Sequence, residues 1–72
     1  MMIKVVVVED EMLVKKGLIL TTDWHRFNCE IVGEASNGME GIEVIRNMNP
    51  DIVITDVRMP GLDGIKMIER LK

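Results

Sequence analysis

The sequence predicts an α/β fold in which a parallel sheet is built from strands joined by helices. Short apolar, β-branched runs recur along the chain, at Ile3 to Val8, Cys29 to Ala35 and Ile52 to Thr55. Each run is followed by a segment whose apolar residues fall at helical spacing. The links between them are short. The resulting βαβαβα pattern implies parallel strands and right-handed crossovers.

Each element has its own reason. Ile3 to Val8 is interrupted only by Lys4, which suits a strand buried on both faces. Glu9, Asp10 and Glu11 end it. Met12 to Leu20 reads as a helix, with Val14, Gly17, Leu18 and Thr21 on one stripe and Lys15 and Lys16 outside. A helical glycine costs about 1 kcal/mol against alanine, so Gly17 is expected to mark close packing on the sheet. Thr22 to Asn28 is a polar connection, with Trp24 as a packing anchor over an end of the second strand and His25 in solvent. Cys29 to Ala35 forms the second strand around Ile31 and Val32, and Ser36-Asn37-Gly38 is a turn. Met39 to Met48 is the second helix, with Ile42, Ile45 and Met48 aligned, and Asn49-Pro50-Asp51 stops it. Ile52 to Thr55 is the third strand, with Asp56 at its C-terminal end. Val57 to Asp63 is a loop holding Pro60 and Gly61. Gly64 to Lys72 is the third helix, with Ile65, Ile68 and Leu71 inward and Asp63 placed to cap it. Met12, Met39, Met48 and Met67 read as packing or surface fill.

Composition narrows the function classes. Apolar residues make up 47 % of the 72 and charged residues 29 %, a globular balance for one domain. A chain this short buries only roughly 60–65 % of its unfolded surface, so a staple or a partner is expected. Cys29 is the only cysteine, which excludes an internal disulfide and a four-cysteine zinc site and predicts a reducing cytosol. A buried, inert thiol is expected there. The net charge of −3 argues weakly against nucleic acid as this chain's own partner. Val5 to Val8 is the longest apolar run, far below the ~20 residues that span a bilayer, so no membrane partner is expected.

The chemistry-bearing residues are carboxylates. Ligands of an open parallel sheet gather at the C-terminal ends of its strands. Glu9 and Asp10 follow the first strand and Asp56 the third, and they become neighbours if those strands pair. A lone acid at a strand end more often caps a helix and stays hydrated. Several at one edge, beside helix N-termini, point to a site. With no histidine or cysteine near, they are hard oxygen ligands suited to Mg²⁺, which would also relieve their mutual repulsion.

The segments VVVVEDE at 5–11 and DIVITDVRMPGLDG at 51–64 resemble a bacterial response-regulator receiver domain, the phospho-accepting module of two-component signalling. The resemblance covers essentially the whole chain as a partial receiver, residues 1–72. It implies a flavodoxin-like fold with strand order 2-1-3 for these first three βα units, an order that the residue pattern alone does not give. It further implies that Asp56 is the phosphoryl acceptor, attacking a phosphohistidine of a sensor histidine kinase. Asp10 would ligate Mg²⁺ directly, Glu9 would act in the metal shell through water, Asp56 would share the ion, and the backbone carbonyl of Arg58 would complete the protein's ligands. The module would be an acceptor, not an enzyme. Asp23-Trp24 resembles a subgroup that precedes an AraC-type DNA-binding domain, so DNA would be reached only through an output domain outside these residues.

A full receiver resembles five βα units. Its hydroxyl residue after the fourth strand, its lysine after the fifth and its aromatic switch residue have no position here, so impaired transfer is expected of the fragment. The third strand would also leave an unpaired apolar edge, which predicts self-association. An inert fragment that assembles through that edge is the first alternative. A haloacid-dehalogenase-like phosphatase also places an aspartate after a parallel strand, but it would want a second acid where Arg58 stands. A nucleotide-binding domain lacks its glycine-rich phosphate cradle.

Overall fold

The computed structural model describes residues 1–72. Its elements are β1 (Ile3–Val8), α1 (Met12–Thr21), a 3₁₀ turn (Trp24–Phe27), β2 (Cys29–Ala35), α2 (Gly38–Met48), β3 (Ile52–Thr55) and α3 (Gly64–Leu71). The strands form one parallel sheet in the order β2-β1-β3. β1 is therefore central, and Val5 to Val8 are at most 1 % exposed. Its continuous valine run is explained by that position, because side chains on both faces are covered.

The valines alternate between two cores. Val6 and Val8 join Ala35, Ile42, Met59 and Met67 under α2 and α3. Val5 and Val7 join Cys29, with Leu18, Ile19 and Trp24 packed over them. The register of β1 against β2 shifts between Val5 and Val6, so that Val5 faces Ile31 and Val6 faces Gly33. The extra residue, Val32, packs against the α2 side. A Cβ at Gly33 would lie 2.6 Å from a methyl of Val44, so α2 rests directly on the strand there.

Helix ends are set locally. Asn37 Oδ1 accepts from the Glu40 amide at 2.8 Å, which starts α2 one residue before the expected Met39. Asn49 adopts the left-handed conformation (φ 47°) and its amide donates to the Ile45 carbonyl at 2.8 Å, so this residue closes α2 before Pro50 is reached. The polar connection carries a 3₁₀ turn ending at a left-handed Asn28. Trp24 anchors it, packing against the Val5–Val7–Cys29 cluster while its Nε1 donates to the Ile19 carbonyl at 3.0 Å. His25 is exposed and Cys29 is buried, as expected.

Two helix faces differ from the sequence expectation. Lys15, expected outside, is the buried residue of α1, whereas Val14 and Thr21 are exposed and a Cβ on Gly17 would meet nothing within 4 Å. Gly17 therefore marks no close packing. In α3 the inward residues are Gly64, Met67 and, in part, Leu71, while Ile65 and Ile68 are 57 % and 43 % exposed. The reason is seating at the N-terminus. Gly64 abuts the Asp56 carbonyl so closely that a Cβ would overlap it, and this contact turns Met67 toward Gly41 and Val8. No helix is long and apolar enough to cross a membrane.

Candidate functional site

The site lies at the C-terminal rim of the sheet. Parallel register sets Val8 opposite Thr55, so Glu9 and Asp56 leave their strands in step. The ladder extends through them: the Asp56 amide donates to the Val8 carbonyl at 3.1 Å, and the Glu9 amide to the Ala35 carbonyl at 3.0 Å. The rim is thus built on the most buried strand and its two partners, where the backbone has little freedom to move.

Glu9, Asp10 and Asp56 are neighbours if β1 and β3 pair, and the fold does pair those strands and bring the three together. One carboxylate oxygen from each lies within 4.8 Å of the others. Glu9 Oε2 is shielded from solvent and has no hydrogen-bond partner. Burial, aided by Asp10 and by the negative charge of Asp56, raises the Glu9 carboxyl above its ordinary value of 4.5. An oxygen-preferring divalent cation fits this donor set: the ligands are all carboxylates, they repel one another, and one buried oxygen lacks a partner.

The loop after β3 fixes Asp56. Its Oδ1 accepts from the Arg58 amide at 3.4 Å, and its carbonyl accepts from Thr55 Oγ1 at 2.9 Å. Arg58 itself is exposed, while Met59 is buried in the α2/α3 core and pins the loop. Gly61 takes φ 78°, where a side chain would be strained. The Gly64 amide returns to the Val57 carbonyl at 2.9 Å, and Asp63 Oδ1 accepts from the Lys66 amide at 2.8 Å, the cap expected of it.

Lys15 and Ser36 join the site's surroundings only through the fold. Lys15 Nζ donates to Ser36 Oγ at 2.6 Å and lies 3.8 Å from Glu34 Oε1. A lysine in a helix is solvated by default, so residue type gave no signal of this.

Residues 5–72 match the model of the response regulator receiver domain. The chain belongs to that family. It is 37 % identical over 70 residues to the uncharacterized transcriptional regulatory protein YesN of Bacillus subtilis, covering 97 % of this chain and 19 % of that protein. Among solved structures it superimposes on the receiver domain of AraT, a response regulator from Geobacillus stearothermophilus, with a TM-score of 0.91 at 33 % identity, over 97 % of this chain and 54 % of that one. A two-component transcriptional regulator AraC from Clostridium phytofermentans gives a TM-score of 0.88 at 30 % identity, over 96 % and 54 %. The receiver chain thus spans about half the length of the solved relatives and a much smaller share of YesN. Its three parallel strands in the order 2-1-3 are those of the flavodoxin-like receiver fold.

Proposed function

We propose that this chain is the phospho-accepting part of a two-component transcriptional response regulator, with Asp56 as acceptor and a sensor histidine kinase as donor. The observation that carries the reading is the trio of carboxylates, Glu9, Asp10 and Asp56, gathered at the rim of a receiver fold with one buried oxygen unpartnered. One Asp56 carboxylate oxygen attacks the phosphorus of a phosphohistidine. The P–N bond breaks as the P–O bond forms, and the product is an acyl phosphate. The tie from the Arg58 amide to Oδ1 leaves Oδ2 as the freer nucleophile. Asp10, Asp56, the Arg58 carbonyl and, through water, Glu9 would hold Mg²⁺. The bound ion supplies positive charge that offsets the oxygens of the transferring group. The new negative charge on Asp56 is the signal, with Asp56 serving as acceptor and not as an enzyme's catalytic group.

The expected setting is the cytoplasm, with DNA bound by an output domain elsewhere in the regulator. Incubation with acetyl phosphate and Mg²⁺, followed by intact mass, tests the acceptor. Wild-type chain should gain one phosphoryl group and Asp56→Asn none; equal labelling of both would sink the assignment. A second copy is the expected partner of the free β3 edge, where Ile52 is 43 % exposed. Sedimentation over a wide concentration range should show dimerisation, and a constant monomer would count against it.

A further inference from the structure

We propose that Lys15 is a positioning residue for the carboxylate cluster, tethering the first turn of α1 to Ser36 and so holding the β1–α1 turn that carries Glu9 and Asp10. The inference rests on the reading of that cluster as a cation and phosphoryl-acceptor site.

Four observations converge. Lys15 is the one charged side chain in the buried set, 5 % exposed, and the one buried residue of α1. The start of α1 has little other side-chain support: Glu11 at the N-cap makes no side-chain capping bond, and Met12, Leu13 and Val14 are 60 %, 85 % and 56 % exposed. Lys15 Nζ donates to Ser36 Oγ at 2.6 Å, with the half-exposed Glu34 3.8 Å away as counter-charge. Ser36 adjoins Ala35, whose carbonyl accepts the Glu9 amide at 3.0 Å. The ammonium and that backbone bond therefore bracket Glu9 and Asp10, one on each side, and both lead to the end of β2.

The chemistry explains the choice of lysine. A buried ammonium persists only where its donors are met, so it has one address, whereas an apolar side chain on this sparsely packed helix would accept many. The proposal also differs in sign from a field effect. A cation near a divalent site weakens it by repulsion, so removing Lys15 should tighten the site if charge alone mattered. If position matters, removal weakens it.

The test measures Mn²⁺ binding by electron paramagnetic resonance, alongside amide hydrogen exchange, on the 72-residue chain. Lys15→Met and Ser36→Ala should each weaken Mn²⁺ binding about tenfold, as loss of an outer-shell support does, while Lys15→Arg stays within about twofold of wild type. Ser36→Ala keeps the charge and is the mildest change, so it answers even where Lys15→Met unfolds. Equal or tighter binding in Ser36→Ala overturns the proposal. Without metal, the Glu9 amide should exchange faster in Ser36→Ala while Val6 and Val7 keep their protection; unchanged Glu9 exchange also overturns it. A wild-type chain blind to Mn²⁺, and indifferent to Asp10→Ala, would instead sink the reading of the cluster itself.

Discussion

The two faces of the sheet are built differently. The α2/α3 face is a packed apolar core in which six residues are buried, and its helices sit against strand and glycine surfaces with no room for a Cβ. The α1 face has three buried apolar residues, and its helix is held by Leu18, Ile19 and a buried ammonium, with Trp24 tied to its end. Most of α1's outer apolar surface is open. Most of the apolar packing in this chain therefore lies on one side, while the other side combines a smaller apolar cluster with a few polar ties. The carboxylate rim stands between them: Asp56 is fixed by a loop pinned in the α2/α3 core, and Glu9 and Asp10 lead into the loosely held α1.

This contrast can be broken. Met67 is fully buried at the centre of the stronger face, so Met67→Ala should cost about 2–5 kcal/mol, enough to unfold much of a small domain. Urea unfolding followed by circular dichroism gives the number. If Leu18→Ala on the other face proves as costly, the asymmetry is wrong. A smaller effect sharpens it. Trp24→Phe keeps most of the packing and removes the bond to the Ile19 carbonyl, for a loss of about 1 kcal/mol. Hydrogen exchange should show that loss confined to α1 and the 3₁₀ turn, with α2 amides unchanged.

The mildest test lies at the rim. The Glu9 carboxyl is raised, so the folded chain holds its proton more tightly than the unfolded chain does. Its ionisation therefore weakens the fold as pH rises from about the ordinary value of 4.5 through the raised one, and the full penalty persists above that. Glu9→Gln should remove this pH dependence and slightly raise the melting temperature at neutral pH. A steeper dependence in the variant would contradict the cause assigned to Glu9. Added Mg²⁺ should stabilise wild type above that window and leave Glu9→Gln less affected.

Much of this was legible in the residues. The strand bounds matched, because buried parallel strands need unbroken β-branched runs. The Asp63 cap could be read from a single aspartate before Gly64. The meeting of Glu9, Asp10 and Asp56 followed once β1 and β3 were taken as neighbours, and that neighbourhood came from a resemblance to receivers, since pattern alone does not order strands. The inward face of α3 differs from the periodic one because Ile65, Ile68 and Leu71 do share a stripe, and periodicity finds a stripe without knowing where the helix is seated.

Sequence alone determined the alternation of strand and helix, the two-sided burial of β1 and the carboxylates that end β1 and follow β3. These depend on residue type and short spacings, which act locally. Only the tertiary structure decided how α3 is rotated and that Lys15 turns inward to Ser36. Both depend on close approach between segments distant along the chain, Gly64 against the Asp56 carbonyl and α1 against the end of β2, where sterics and the need to satisfy a buried charge override helical pattern.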